Sequence, residues 1–196
     1  MPSARAKQKH RVPEWYVSEY MMDRALAAVV RKTRKLDRRH DIPYLAGYSK
    51  NAKTIYIDRS LPKSFRFRRR RINTDRFLIL HEAVEKALMD QLGLDYLDAH
   101  QIATRAEQAA VRASGMTWHA YDAFMKKYVM MSGDKKLSKV PRDLDLKPYR
   151  EERDSALLRR MGAAVEKTPK HKARASMGFR AVGLRKRVAR KAPRRK

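Results

Sequence analysis

Residues 77–92 read FLILHEAVEKALMDQL, which sets His81, Glu82 and Glu85 inside an otherwise apolar run. Imidazole nitrogens and carboxylate oxygens are the donors that divalent cations take, and a neighbouring carboxylate can move a proton. At ~100° per residue, Phe77, Leu80, Val84, Leu88 and Leu92 define one side of a helix, and His81 and Glu85 fall within that stripe. Glu82 lies at its border, while Lys86 and Asp90 take the opposite, wet side. A second run, AHQIATRAEQAAVRASG (99–115), sets His100 and Glu107 among Ala103, Thr104, Ala110 and Val111. Its polar side is Gln101, Arg105, Gln108 and Arg112.

A short link, LDYLD (94–98), predicts that the two helices fold back as an antiparallel hairpin. With the turn near residues 94 and 95, His81 comes level with Glu107 or Gln108, and Glu85 with Thr104. His100 then lies about one turn from Glu85, ~6 Å along the axis. His81, Glu85, His100 and Glu107 thus converge as four candidate metal ligands. Burying such groups uncompensated costs several kcal/mol per charge, a penalty that a divalent cation offsets. The alternative is a metal-free network of His–Glu pairs that fixes the hairpin register.

The segment His81-Glu82-Ala83-Val84-Glu85 resembles the H-E-x-x-H motif of zincin-type metallopeptidases, and the strand-like KTIYID before it matches that family's order of elements. The resemblance covers roughly residues 54–107 and departs at Glu85, where the family has its second His. It implies His81 as a ligand, Glu82 as the general base, and Glu107 or His100 as the downstream ligand. Zinc is the implied metal, and the extra carboxylate also suits manganese or iron. The implied activity is metal-dependent hydrolysis of an amide, in a peptide or protein substrate of unknown identity.

These residues need elements to hold them. The pattern predicts an α+β fold: a helix-dominated single domain with a small antiparallel sheet, the metal-site helix hairpin, and a basic disordered tail. Residues 1–12 read as a basic arm, 13–131 as the core domain, 132–166 as a linker and C-terminal helix, and 167–196 as the tail. WYVSEYMMDRALAAVVRKTRKL (15–36) reads as one helix burying Met21, Ala25, Ala28, Val29 and Lys32. Two strands follow in IPYLAGYSKNAKTIYIDRSLP (42–62), turning at Gly47 and SKNAK. SFRFRRRR (64–71) reads as an exposed loop or edge. Asn73, Thr74 and Asp75 offer caps for the motif helix, with Gly93 and Gly115 as helix stops. A further helix covers WHAYDAFMKKYVMM (118–131), with Met125, Tyr128 and Met131 as core. His10 and His40 read as solvated, His119 as surface or packing, Asp58 as a turn cap, and Asp143 and Asp145 as loop residues paired with Arg.

Charge bears on partners. The 196 residues carry a net charge of +27, and charged residues make up 35% against an ordinary ~25%. Thirteen Lys and Arg without one acid fill 167–196, and four more lie in the first 12 residues. Such tails are footprints for a polyanion, here nucleic acid reached through 167–196 and through the Arg run at 66–71. Absence of Cys excludes disulfides, thiolate zinc sites and thiol nucleophiles. No run is long enough for a membrane span, and MPSARAKQKHR lacks the apolar region of a secretory signal. The expected location is the cytoplasm or a nucleoprotein particle. The alternative function class is a non-enzymatic basic protein that binds nucleic acid or packs within a nucleoprotein particle.

Overall fold

The first helix, α1 (Glu19–Lys32), stops short of the predicted boundary, because Thr33 turns its hydroxyl onto Val29 C=O and Ala52 C=O, at 3.1 Å each. The computed structural model describes residues 19–165; the expected basic arm and basic tail lie outside them. The buried side of α1 is also rotated. Met22, Ala25, Leu26 and Val29 face the core, whereas Met21 is 44% exposed and Lys32 is exposed. Both sets keep helical spacing, and the packing of α1 against α2 selects the face that carries Met22 and Leu26.

Residues read as the end of that helix form β1 (Lys35–Asp37). It pairs in parallel with β3 (Thr54–Ile57), and β2 (Ala46–Tyr48) pairs with β3 antiparallel, giving the order β1-β3-β2. The sheet is therefore mixed. Every residue of β3 is buried, as expected for a central strand covered on both faces. The Arg-rich stretch forms a separate hairpin of β4 (Ser64–Phe67) and β5 (Arg70–Asn73).

The motif helix is α2 (Asp75–Gln91), with Gly93 at φ 70° just past its end. Only Gly adopts that conformation without strain, so the helix stops where the sequence indicates. α3 (Tyr96–Ala113) folds back along α2, and Val84, Leu88, Met89, Tyr96, Ala99 and Ala103 form the seam. Ala99 and Ala103 let the two backbones approach closely. α4 (Trp118–Asp134) follows, capped by Thr117, whose hydroxyl accepts from Ala120 N–H. Short α5 (Lys147–Glu151) and α6 (Ser155–Ala164) close the chain, the latter capped by Asp154 on Leu157 N–H at 2.9 Å. No helix among the described residues is long and apolar enough to cross a membrane.

Three local expectations are corrected. The segment 132–148 is packed, placing Leu137, Val140 and Leu144 in a core with Ile42, Tyr56 and Met161. Asp41 anchors it by accepting Ser138 N–H and Lys139 N–H, at 2.9 Å each. His40 is buried, 3.1 Å from Asp37 and edge-on to Tyr56. Met131, expected in the core, is 55% exposed because α4 turns that face outward. Asp58 does cap its turn, accepting from Ile42 N–H and Ser60 N–H at 2.8 Å.

Candidate metal centre

The hairpin brings the predicted donors together. His81 Nε2 lies 3.2 Å from His100 Nδ1 and 3.5 Å from Glu85 Oε2, and His100 Nδ1 lies 3.0 Å from that same oxygen. Three donors on one metal at ~2.0–2.2 Å in tetrahedral geometry sit roughly 3.3–3.5 Å apart. The observed triangle is close to that size. His81 and Glu85 reach it because a spacing of four residues shares a helix face, and His100 reaches it from the first turns of α3. Together these three form the one metal-type group among the described residues.

Glu107 meets His81 at the expected level of the hairpin, but from outside the donor triangle. Its Oε2 lies 2.9 Å from His81 Nδ1, on the ring nitrogen facing away from the triangle. Its other oxygen accepts from Tyr121 OH at 2.5 Å. A carboxylate on the distal nitrogen fixes the ring and the tautomer of a metal-binding imidazole. Glu85 is held likewise: Tyr48 OH donates to its Oε1 at 3.2 Å, leaving Oε2 for the triangle. Tyr96 completes the surround, its OH 3.5 Å from His100 Nδ1. These tyrosines were not legible as site residues: Tyr48 and Tyr96 are lone aromatics on their elements, and Tyr121 sits among Trp118, Phe124 and Tyr128 as a packing residue would.

Burial alone would lower the His81 pKa, but hydrogen bonds with Glu107 and Glu85 outweigh it and push it up to about 10. Burial likewise favours a neutral Glu85, yet contacts with His100 and His81 hold its carboxyl below the usual range. Burial and then the Glu85 charge push the Glu82 carboxyl well above its ordinary value. Tyr48 and Tyr121 are raised by burial and by Glu85 and Glu107 respectively, so both phenols stay protonated donors.

Glu82 is 7% exposed, and its carboxyl has no hydrogen-bond partner among the described residues. It lines a cavity of about 190 Å³ together with His81, Glu85 and His100. Tyr44, Trp118 and Tyr149 are among the aromatic walls, and neither Lys nor Arg lines it among the described residues. The strand β2 runs along one side. Asp58 N–H donates to Leu45 C=O and Ser49 N–H to Thr54 C=O, so the odd-numbered residues there bond to β3. By the two-residue alternation, Ala46 and Tyr48 turn their backbone groups to the other edge, where Tyr48 C=O accepts Asp145 N–H at 2.8 Å. Ala46 faces the cavity beside it.

Lys86 overturns its predicted solvent position. It is 2% exposed, with Nζ 2.7 Å from Asp145, 2.8 Å from Asp90 and 4.5 Å from the centre of the Tyr48 ring. Asp145 was expected to pair with Arg, as was Asp143, which instead accepts from Tyr56 OH at 2.5 Å.

No protein-family model, curated protein or solved structure matches the chain.

Proposed function

We propose that the chain is a metal-dependent hydrolase of amide bonds, with a divalent cation, zinc first, held by His81 Nε2, Glu85 Oε2 and His100 Nδ1. The observation that carries this reading is the donor triangle beside a cavity into which Glu82 brings an unpartnered carboxyl. The Glu82 carboxyl makes no hydrogen bond among the described residues and opens onto the cavity, the placement of a group that acts on what the cavity holds. The bound cation would supply Lewis-acid polarisation and lower the pKa of a water towards ~7.

The protein's own groups do the rest. With a cation offsetting the Glu85 charge that disfavours its ionised form, Glu82 would take a proton from the attacking water and return it to the leaving amine. Glu107 holds the His81 ring, with Tyr121 holding Glu107. The free edge of β2 at Ala46 offers backbone hydrogen bonds to an extended substrate, which favours a peptide. Among the described residues the cavity wall is aromatic and acidic, with no Lys or Arg, which favours an uncharged or cationic substrate segment.

A metal-free clamp is the second reading, and one observation favours it: each imidazole already touches a carboxylate. It leaves Glu82 without a role. Elemental analysis of protein purified without chelator separates the two. The hydrolase reading expects about one equivalent of metal in the wild type and in Glu82→Gln, and none in His81→Ala. Hydrolysis of an unstructured protein such as casein should be lost in Glu82→Gln. A wild-type protein that neither carries nor takes up zinc, manganese or iron would overturn the proposal.

A further inference from the structure

The hairpin β4–β5 carries two local costs that its own fold does not recover. In its register Arg66 stands directly opposite Arg71, and like charges placed so destabilise a strand pair. The two-residue connection is Arg68-Arg69, and Arg68 has φ 53°, a left-handed conformation that Gly or Asn adopts far more readily. Arg66, Arg68, Arg69 and Arg71 are all exposed, and none has a carboxylate partner among the described residues. Arg71 donates to Ser64 Oγ at 2.7 Å, and Arg68 lies over the Phe67 ring at 5.3 Å.

The other face of the hairpin is anchored. Phe65 stacks on Phe124 of α4 with ring centres 4.5 Å apart, and Ile72 is buried in the same cluster. Phe65 is therefore committed to packing and not free to stack on bases or enter a lipid surface. The outward row is Ser64, Arg66, Arg71 and Asn73, polar throughout. A rigid two-stranded platform thus displays planar guanidinium groups without an apolar wedge beside them.

We infer that this hairpin is a binding surface for the phosphate backbone of nucleic acid, read without base contacts. Anionic oxygens bridging Arg66 and Arg71 remove the repulsion that the free protein carries. Guanidinium is suited to the task because its fork matches phosphate oxygens in pairs. An extended row of cations fits a regularly repeating anion better than an isolated acidic side chain. A lipid surface is disfavoured because tight anionic membrane binding draws on apolar insertion as well as charge. The inference is independent of the metal centre.

The test uses the full chain and a 20-base-pair duplex DNA, with affinity measured by fluorescence anisotropy over a range of salt. Each phosphate contact adds roughly 0.9 to the slope of log K against log salt. A variant with Arg66, Arg68, Arg69 and Arg71 all replaced by Gln should lower that slope by about 3 to 4. The same positions replaced by Lys should keep most of it. Arg66→Thr alone should weaken binding while raising the melting temperature by about 1–3 °C, because the opposed pair is broken. An unchanged slope in the Gln variant overturns the inference. So does a Gln variant that binds DNA normally but loses vesicles containing phosphatidylserine, which would assign the surface to lipid. A loss in the Lys variant equal to that in the Gln variant also overturns it.

Discussion

Glu85 and Glu107 carry the same carboxyl group on facing helices, and their positions give them separate tasks. Glu85 offers an oxygen to the triangle, whereas Glu107 meets the far nitrogen of His81. On the proposed function, replacing Glu107 by Ala should weaken zinc binding by roughly 10- to 100-fold without abolishing it. Competition against a chromogenic chelator measures this, and loss of all zinc would instead make Glu107 a direct ligand. Tyr121→Phe should have a smaller effect in the same direction. Helical geometry made the His81–Glu107 and His100–Glu85 pairs legible in advance, since both follow from one turn position and a known rise per residue. Which nitrogen each carboxylate would meet was not legible. That depends on side-chain rotamers set by Tyr48 and Tyr121, which come from β2 and α4.

Among the elements, α2 shows where periodicity stops being informative. Its stripe of Phe77, Val84 and Leu88 was predicted and is buried. Lys86 was assigned to solvent because a repeat of 3.6 residues describes one helix and not what later folds over it. Asp145 arrives from the segment before α5 and covers that side. β1 escaped for a related reason: three residues, KLD, are too few to display an alternation. The hairpin ends at Gly93 and Gly115, by contrast, were readable from single residues. Lys86→Met should cost roughly 2–4 kcal/mol of unfolding free energy in urea titration. It sits below the ~3–5 kcal/mol of a fully buried broken pair because Asp145 retains some contact with water. An unchanged midpoint would mean that the Lys86–Asp145 pair contributes nothing net.

At the scale of the whole molecule, the anchor residue is Asp41, which joins the sheet region to the chain after α4. It is wholly buried and accepts from Lys135, Arg59, Ser138 and Lys139. Burial by itself would raise its pKa, but Lys135 and the Ser138 and Lys139 groups outweigh that and hold the carboxyl far below the ordinary range. A depressed folded pKa stabilises fully above the unfolded value, ~3.9 for Asp, and the contribution is lost as pH falls below it. The melting temperature should therefore lose the Asp41 contribution only below about pH 4. Asp41→Asn should lower the melting temperature at pH 7 and flatten the acid limb of the curve. An acid limb identical to the wild type would remove Asp41 from the account. The fold class was readable at this scale because the helices are long and periodic, while the packing of 132–148 was not, since its core residues are scattered among Pro and Gly. That packing defines the smallest portable unit. A fragment cut before residue 141 would keep His81, Glu82, Glu85 and His100, yet take from Lys86 its Asp145 partner and remove Asp145, Pro148 and Tyr149 from the cavity wall. Transplanting the two-helix motif alone would move the donors and leave their enclosure behind.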